Sequence, residues 1–273
     1  MTTKYQPFLR PLLDSIERVY ADIRIWLLPC LKDNYIFIIY FPEVSQTIVV
    51  DPAQSDIVIQ FLESKGLELN EIWVTHHHSD HIGGVIDLKK YYNCEVRGAV
   101  SIPGRIPGVS IPVDGSSHWS LSEFEIKVLE LPGHTLDHKA YWIHSSELND
   151  ERKISLLFSG DVLFGLGCGR LFEGSYDQMV ASLQKVIQLP PYTQIFCSHE
   201  YTELNLSFTL SENANDSKIL ERQQRIQKLR LQGKPTVPLK LEEELETNLF
   251  LKVLESKDPL GAFTLLREKR NKY

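Results

Sequence analysis

Thr75-His-His-His-Ser-Asp-His-Ile-Gly-Gly84 decides how the rest of this 273-residue chain is read. Four of the nine histidines stand in it, with Asp80 among them. Imidazole nitrogens and a carboxylate at this density are what a divalent transition metal asks for. Just before it, Glu71-Ile-Trp-Val-Thr75 is a short apolar, β-branched run that reads as a buried strand. Just after it, Val85, Ile86, Leu88 and Tyr91 recur at helical spacing. The cluster is therefore expected in a strand-to-helix loop at the carboxyl end of a strand, where open α/β sheets place their sites. In an extended loop side chains alternate, so His76 and His78 face one way and His77 the other. Asp80 and His81 then aim at a second position nearby, and one loop can serve two adjacent ions.

The remaining ligands are sought in similar settings. Phe124–Leu131, Ile154–Phe158 and Gln194–Cys197 read as strands. They run into Pro132-Gly133-His134-Thr135, Ser159-Gly160-Asp161 and Ser198-His199-Glu200. One His or Asp after a strand says little, because caps and turns use Asp freely. Three such loops beside the first cluster say more, and give seven candidate ligands: His76, His78, Asp80, His81, His134, Asp161 and His199. A closed structural zinc site would use paired cysteines. Cys30, Cys94, Cys168 and Cys197 are instead scattered, with no Cys-x-x-Cys.

On these stretches the chain resembles the metallo-β-lactamase superfamily. More narrowly it resembles glyoxalase II, the hydroxyacylglutathione hydrolases, through Gly160-Asp161-Val-Leu-Phe164, Gly167-Cys-Gly-Arg-Leu-Phe-Glu-Gly174, Ser198-His-Glu-Tyr-Thr202 and Leu31-Lys-Asp-Asn-Tyr35. The resemblance covers roughly residues 22 to 270. It implies an α+β fold, a four-layered αββα metallo-β-lactamase sandwich with a C-terminal helical region. It also assigns the ligands: His76, His78 and His134 to a first ion, Asp80, His81 and His199 to a second, and Asp161 as the bridge. Two divalent ions per chain are implied, zinc first, with iron or manganese suited to the same donors. Two departures stand out. Asp137 replaces the second glycine of the family's Gly-His-Thr-x-Gly-His, and Asn248-Leu-Phe-Leu-Lys252 lacks the proline of Asn-Pro-Phe-Leu-Arg.

The implied reaction is hydrolysis of S-(R)-lactoylglutathione, an S-2-hydroxyacylglutathione, to D-lactate and glutathione through a hydroxide bridging the ions. Asp80 and Asp161 are the catalytic carboxylates, Asp80 also placed to orient the hydroxide. No Gly-x-Ser-x-Gly elbow offers a separate nucleophile. Glutathione carries two carboxylates, so cations are needed. Arg170, Phe172, Tyr201 and Lys269 are the expected substrate contacts. Leu266 stands where animal members have Arg, and Arg267 replaces it only if the helix is rotated or bent; otherwise Arg267 and Lys269 are a solvated helix end. The alternatives are a persulfide dioxygenase, which uses one iron and fewer ligands, another hydrolase of this fold with a different thioester or a β-lactam, and a binding protein that has lost ligands. The complete ligand set argues for the thioester hydrolase.

A net charge of −7 argues against a nucleic-acid partner. The expected partner is a small-molecule glutathione thioester, with the chain a monomer or weak dimer. Dispersed cysteines, no membrane-length apolar run and no signal-peptide core point to the cytoplasm. Three regions are expected. Residues 1–21 form a helical extension, from Leu9, Leu12, Leu13, Ile16 and Tyr20 at helical spacing. Residues 22–200 form the catalytic domain. Residues 201–273 form a helical substrate-binding region, with helices over Asn205–Gln232, Leu241–Leu254 and Pro259–Lys269 broken at Gly233-Lys-Pro-Thr-Val-Pro238.

Overall fold

The structure is a computed structural model describing residues 16–145 and 153–273. Its contacts divide the chain into two compact units. One comprises Met1–Val128 and His144–Ile154, the other Leu129–Ile143 and Ser155–Tyr273.

The first unit is built on a seven-stranded sheet: β1 (Ile16–Tyr20), β2 (Ile23–Cys30), β3 (Asn34–Phe41), β4 (Gln46–Val50), β5 (Glu71–Trp73), β6 (Glu95–Gly98) and β7 (Ile111–Pro112), in that spatial order. β1 to β4 form an antiparallel meander, and β4 to β7 run parallel. Parallel neighbours need crossovers. Helix α1 (Ser55–Lys65) makes the first; α2 (Ser79–Ile82) and α3 (Val85–Tyr92) make the second. Val58 and Leu62 of α1 and Val85 and Leu88 of α3 are fully buried in one cluster with Ile36, Ile38, Val49 and Ile72 of the sheet. Strand pairing at β4–β5 sets Val50 opposite Trp73. Asp51, just past β4, thus lies beside the start of the Thr75–Gly84 loop. β3 runs antiparallel to β4, so Asn34 at its start reaches the same sheet edge. A hairpin follows, β8 (His118–Leu121) and β9 (Phe124–Glu130).

The second unit holds β10 (Lys139–Ser145), β11 (Ser155–Gly160), β12 (Leu163–Phe164), β13 (Gly167–Cys168), helix α4 (Tyr176–Val186), β14 (Gln194–Cys197), α5 (Thr202–Glu212), α6 (Ser217–Leu231), β15 (Leu239–Lys240), α7 (Leu241–Thr247), α8 (Leu249–Lys252) and α9 (Pro259–Lys272). Its sheet strands lie in the order β15-β14-β11-β10, while β12 and β13 form a separate ribbon. β11 and β14 are parallel, with Gly160 opposite Cys197, so Asp161 and His199 follow the carboxyl ends of neighbouring strands. Met179, Leu183 and Val186 of α4 are fully buried.

Three readings of the sequence are corrected. Ile16–Tyr20, expected at the end of a helix, is a strand paired with β2 from Ile16↔Leu27 to Tyr20↔Ile23; an available sheet edge overrides local helical spacing. Residues 1–15 of that extension lie outside the described residues. The polar stretch 205–232 is two helices, and α6 starts where the Asp216 carboxylate accepts the Lys218 and Ile219 N–H groups. Leu241–Leu254 also breaks, at Asn248, whose extended backbone ends α7 while its side chain caps α8 through the Phe250 N–H. Among the described residues no helix is long and apolar enough to cross a membrane.

Gly83 and Gly84 lock the end of the histidine loop against the segment after β4. The Gly84 N–H donates to Pro52 O at 2.7 Å. A Cβ on Gly83 would stand 2.4 Å from the Ala53 carbonyl oxygen. That neighbour is backbone and cannot swing aside. Gly83→Val is expected to cost about 1–3 kcal/mol, as overpacking does, read as a lower urea midpoint at unchanged m-value.

Candidate metal centre

In the first unit Asp51 organises the histidine loop. Its Oδ1 accepts the Thr75 N–H at 2.8 Å, and its Oδ2 accepts the Thr75 hydroxyl at 2.7 Å. The same Oδ2 lies 3.0 Å from His81 Nδ1. Asp51 holds this place with φ +50°, a sparsely populated backbone state for a non-glycine residue. Thr75 has one hydroxyl proton and gives it to Asp51. At its 3.0 Å contact with His76 Nδ1 it must therefore accept. His76 and His81 both carry the proton on Nδ1, and each keeps a lone pair on Nε2. That carboxylate-oriented histidine is the arrangement of metal-ligating imidazole. His76 Nε2 faces His78 Nδ1 at 3.0 Å, and His81 Nε2 faces Asp80 Oδ2 at 3.7 Å. The ring centroids of His76 lie 4.6 Å from His78 and 4.0 Å from His81. Asn34 Nδ2 donates to Asp80 Oδ2 at 2.9 Å and fixes that carboxylate. His76 and His81 are fully buried.

In the second unit the loop between β9 and β10 presents His134. Its Nδ1 donates to the Arg170 carbonyl at 2.7 Å, so its Nε2 also keeps a lone pair. Asp161 Oδ2 lies 3.4 Å from His134 Nε2 and 3.3 Å from His199 Nε2. One carboxylate oxygen thus faces two imidazoles from different loops. His138 is fully buried, and its Nε2 accepts the Asp161 N–H at 3.1 Å. It holds the backbone of Asp161. The His199 ring stacks on Tyr201 at 4.7 Å and meets Phe164 edge-on at 5.9 Å.

These spacings fit metal ligands. Two donor atoms about 2.1 Å from one ion, about 90–125° apart as seen from it, sit about 3.0–3.7 Å from each other. The pairs His76/His78, Asp80/His81, His134/Asp161 and His199/Asp161 all fall in that range. Nitrogen and oxygen donors suit zinc, iron or manganese.

The expected substrate residues divide. Phe172 is exposed and meets the His134 ring edge-on at 5.3 Å. Arg170 lends its carbonyl to His134 and leaves its guanidinium at the surface. Tyr201 stacks on His199. Lys269 instead forms an exposed ion pair with Glu212 at 2.6 Å. Arg267 is neither a solvated helix end nor a spare cation. It is buried, donates to the Cys168 carbonyl at 3.0 Å and lies over the Phe250 ring. Of the departures, Asp137 is not among the positive-φ residues, so the lost glycine strains nothing.

Sequence reading missed Asp51, Asn34 and the carbonyl of Arg170. Asp51 did leave a trace: it follows the apolar run Thr47-Ile-Val-Val50 as the histidine loop follows its own strand.

Two outcomes follow. Asp51→Asn keeps the shape but removes the charge that holds the His81 Nδ1–H together with the Thr75 N–H and hydroxyl. Its metal affinity should fall about 10–100-fold, measured by competition with a chromogenic chelator. Burial raises the Cys30 thiol to about 12 and the Cys94 and Cys168 thiols to about 11, and lifts Cys197 well above its ordinary value. A raised pKa keeps the thiol protonated at pH 8. All four free cysteines should resist a thiol-disulfide reagent at pH 8 in the native protein and react once it is denatured.

Comparison with known proteins identifies relatives of this chain. Residues 34–109 match the metallo-beta-lactamase superfamily, and residues 200–273 match the family described as hydroxyacylglutathione hydrolase C-terminus. A hydroxyacylglutathione hydrolase of Methylococcus capsulatus is 40% identical over 230 residues, covering 84% of this chain and 87% of the relative. One of Rhodopseudomonas palustris is 39% identical over 262 residues, covering 92% and 99%. The crystal structure of ETHE1 from Myxococcus xanthus, 21% identical, covers 94% of this chain and 91% of its own with a TM-score of 0.64; it shows a shared fold and no more. The expected α+β metallo-β-lactamase fold with a C-terminal helical region is therefore the fold of this protein. On sequence over most of its length, the chain belongs to the hydroxyacylglutathione hydrolase family.

Proposed function

We propose that the protein hydrolyses S-(R)-lactoylglutathione and related S-2-hydroxyacylglutathiones to the 2-hydroxy acid and glutathione, with two divalent ions, zinc first among them. His76, His78 and His134 would hold one ion, Asp80, His81 and His199 the other, and Asp161 would bridge them. The observation that carries this reading is Asp161 Oδ2 facing both His134 Nε2 and His199 Nε2. Family membership supports the substrate class.

When bound, such ions lower the pKa of a water and polarise the thioester carbonyl. The chain's own residues set the conditions. The Asp51 carboxylate, the Thr75 hydroxyl and the Arg170 carbonyl hold the Nδ1 protons of His81, His76 and His134, so each Nε2 would be the nitrogen that holds an ion. Asn34 pins one oxygen of Asp80. The carboxylate so fixed would orient the attacking water. A water oxygen bonds to the acyl carbon, the carbon–sulfur bond breaks, and the water's protons end on the released thiol and in solvent. The exposed Arg170 guanidinium would answer a glutathione carboxylate, with Phe172 and Tyr201 beside the peptide and Lys269 joining once it leaves Glu212. Residues 201–273 serve as the substrate-binding region. Four free, buried cysteines support a cytoplasmic setting.

The test is a panel of S-lactoylglutathione, nitrocefin and glutathione persulfide on the purified protein, with metal analysis. Thioester cleavage and two equivalents of metal are expected, and Asp161→Ala should lose both together. Arg170→Met should raise KM for the glutathione thioester about tenfold, the worth of one charged contact, with little change in kcat. Oxygen consumption on the persulfide without thioester cleavage would overturn the assignment.

A further inference from the structure

We infer that Glu244 and Asn248, on the C-terminal helices, are positioning residues for the candidate ligands His134, Asp161 and His199, acting through the Asp161–Arg170 segment. The inference rests on the metal reading above.

That segment contains the β12–β13 ribbon, whose tip is Phe164-Gly-Leu-Gly167. The tip turns through Leu166 at φ +58°, a state leucine rarely adopts. Its polar backbone groups are taken by side chains from α5, α7 and the α7–α8 junction. The Leu166 N–H donates to Glu244 Oε2 at 2.9 Å. Asn248 Nδ2 donates to the Phe164 carbonyl at 3.3 Å and the Gly167 carbonyl at 3.1 Å. Asn205 Nδ2 donates to the Gly165 carbonyl at 3.0 Å.

Those side chains are themselves fixed. Glu244 and Asn248 are fully buried. Glu244 Oε1 accepts from Arg222 Nη2, and Arg222 Nη1 donates to Thr247 Oγ1 at 2.5 Å. Asn248 Nδ2 also lies 3.0 Å from Glu244 Oε2, and Asn248 Oδ1 caps α8. The tip is gripped by a buried, charged and fully directional set of partners.

All three candidate ligands of this unit touch the gripped segment. Asp161 opens it. The Gly169 N–H returns to the Val162 carbonyl at 3.0 Å, and a Cβ on Gly169 would stand 1.9 Å from the Asp161 carbonyl oxygen. The two ends of the ribbon are thus in bare backbone contact. The next residue, Arg170, supplies the carbonyl that orients His134. Phe164 within the tip meets the His199 ring. Metal constellations tolerate only about 0.5 Å of misplacement. A shift of the tip moves the Asp161 backbone, the Arg170 carbonyl and the wall behind His199 together.

A merely structural knot would lower stability and leave each loaded site as active as before. The experiment is therefore Asn248→Ala and Glu244→Gln in the full chain, with thermal unfolding, zinc affinity by chelator competition, kcat and KM at saturating zinc, and the visible spectrum of the cobalt(II)-substituted protein. We expect folded variants with zinc affinity and kcat each down by about tenfold or more, KM within about threefold, and an altered cobalt spectrum. Unchanged affinity, kcat and spectrum in folded variants overturn the inference. Should both fail to fold, Asn205→Ala, which releases the tip only at Gly165, is measured in the same way: the same losses support the inference, and unchanged values overturn it. Asp161→Ala in the chelator assay separates the two claims. If it binds zinc as tightly as the parent, the metal reading fails, whatever the Asn248 variant does.

Discussion

Burying an imidazole that carries a proton forces a choice. Its N–H must find an acceptor or cost several kcal/mol of lost hydration. In this protein that requirement sets the chemistry of the site. His76, His81 and His134 are buried, and each gives its Nδ1–H to an acceptor of fixed position. Satisfying one nitrogen decides the state of the other. The lone pairs on Nε2 follow from where Asp51, Thr75 and the Arg170 carbonyl stand, and the candidate ligands depend on these acceptors.

The acceptors are where they are because of strand order. A parallel pair puts the carboxyl ends of both strands at one edge, so β4 delivers Asp51 beside the loop that follows β5. The antiparallel strand β3 starts at that same edge and delivers Asn34. The second unit repeats the arrangement, with β11 and β14 parallel and delivering Asp161 and His199. Each candidate ligand follows a strand end, and the strands are largely buried. Positions on rigid elements hold a ligand more tightly than free loops do.

Much of this was legible in the chain. The candidate ligand loops announce themselves because the residues are chemically unusual and follow short apolar runs. β14 and α3 appear where their periods place them. What the sequence hid has one common cause: its meaning lies in a partner distant along the chain. Asp51 is an ordinary strand-end aspartate until Thr75 and His81, 24 and 30 residues away, turn toward it. Arg267 looks like a solvated cation until the Cys168 carbonyl, 99 residues away, takes its N–H. Ile16–Tyr20 has helical spacing, and only the free edge of β2 makes it a strand. The break at Asn248 was masked by the helical period on either side of it.

Asn248 and the Arg222–Glu244 pair also bear on why a buried charge is kept at all. Desolvating a carboxylate and a guanidinium costs several kcal/mol, and a well-packed apolar substitute often gives equal or greater stability. Net stabilisation is therefore a weak reason for the pair to be here. An apolar substitute, however, cannot accept the Leu166 N–H or hold Asn248 for its two carbonyls. A leucine at positive φ, flanked by glycines with no room for a Cβ, has no strong local preference for its conformation. Fixed acceptors from the helices give it one. The charge pair specifies the shape of a turn that its own residues would leave open, and the segment carrying that turn begins on Asp161 and ends on Arg170, whose carbonyl orients His134.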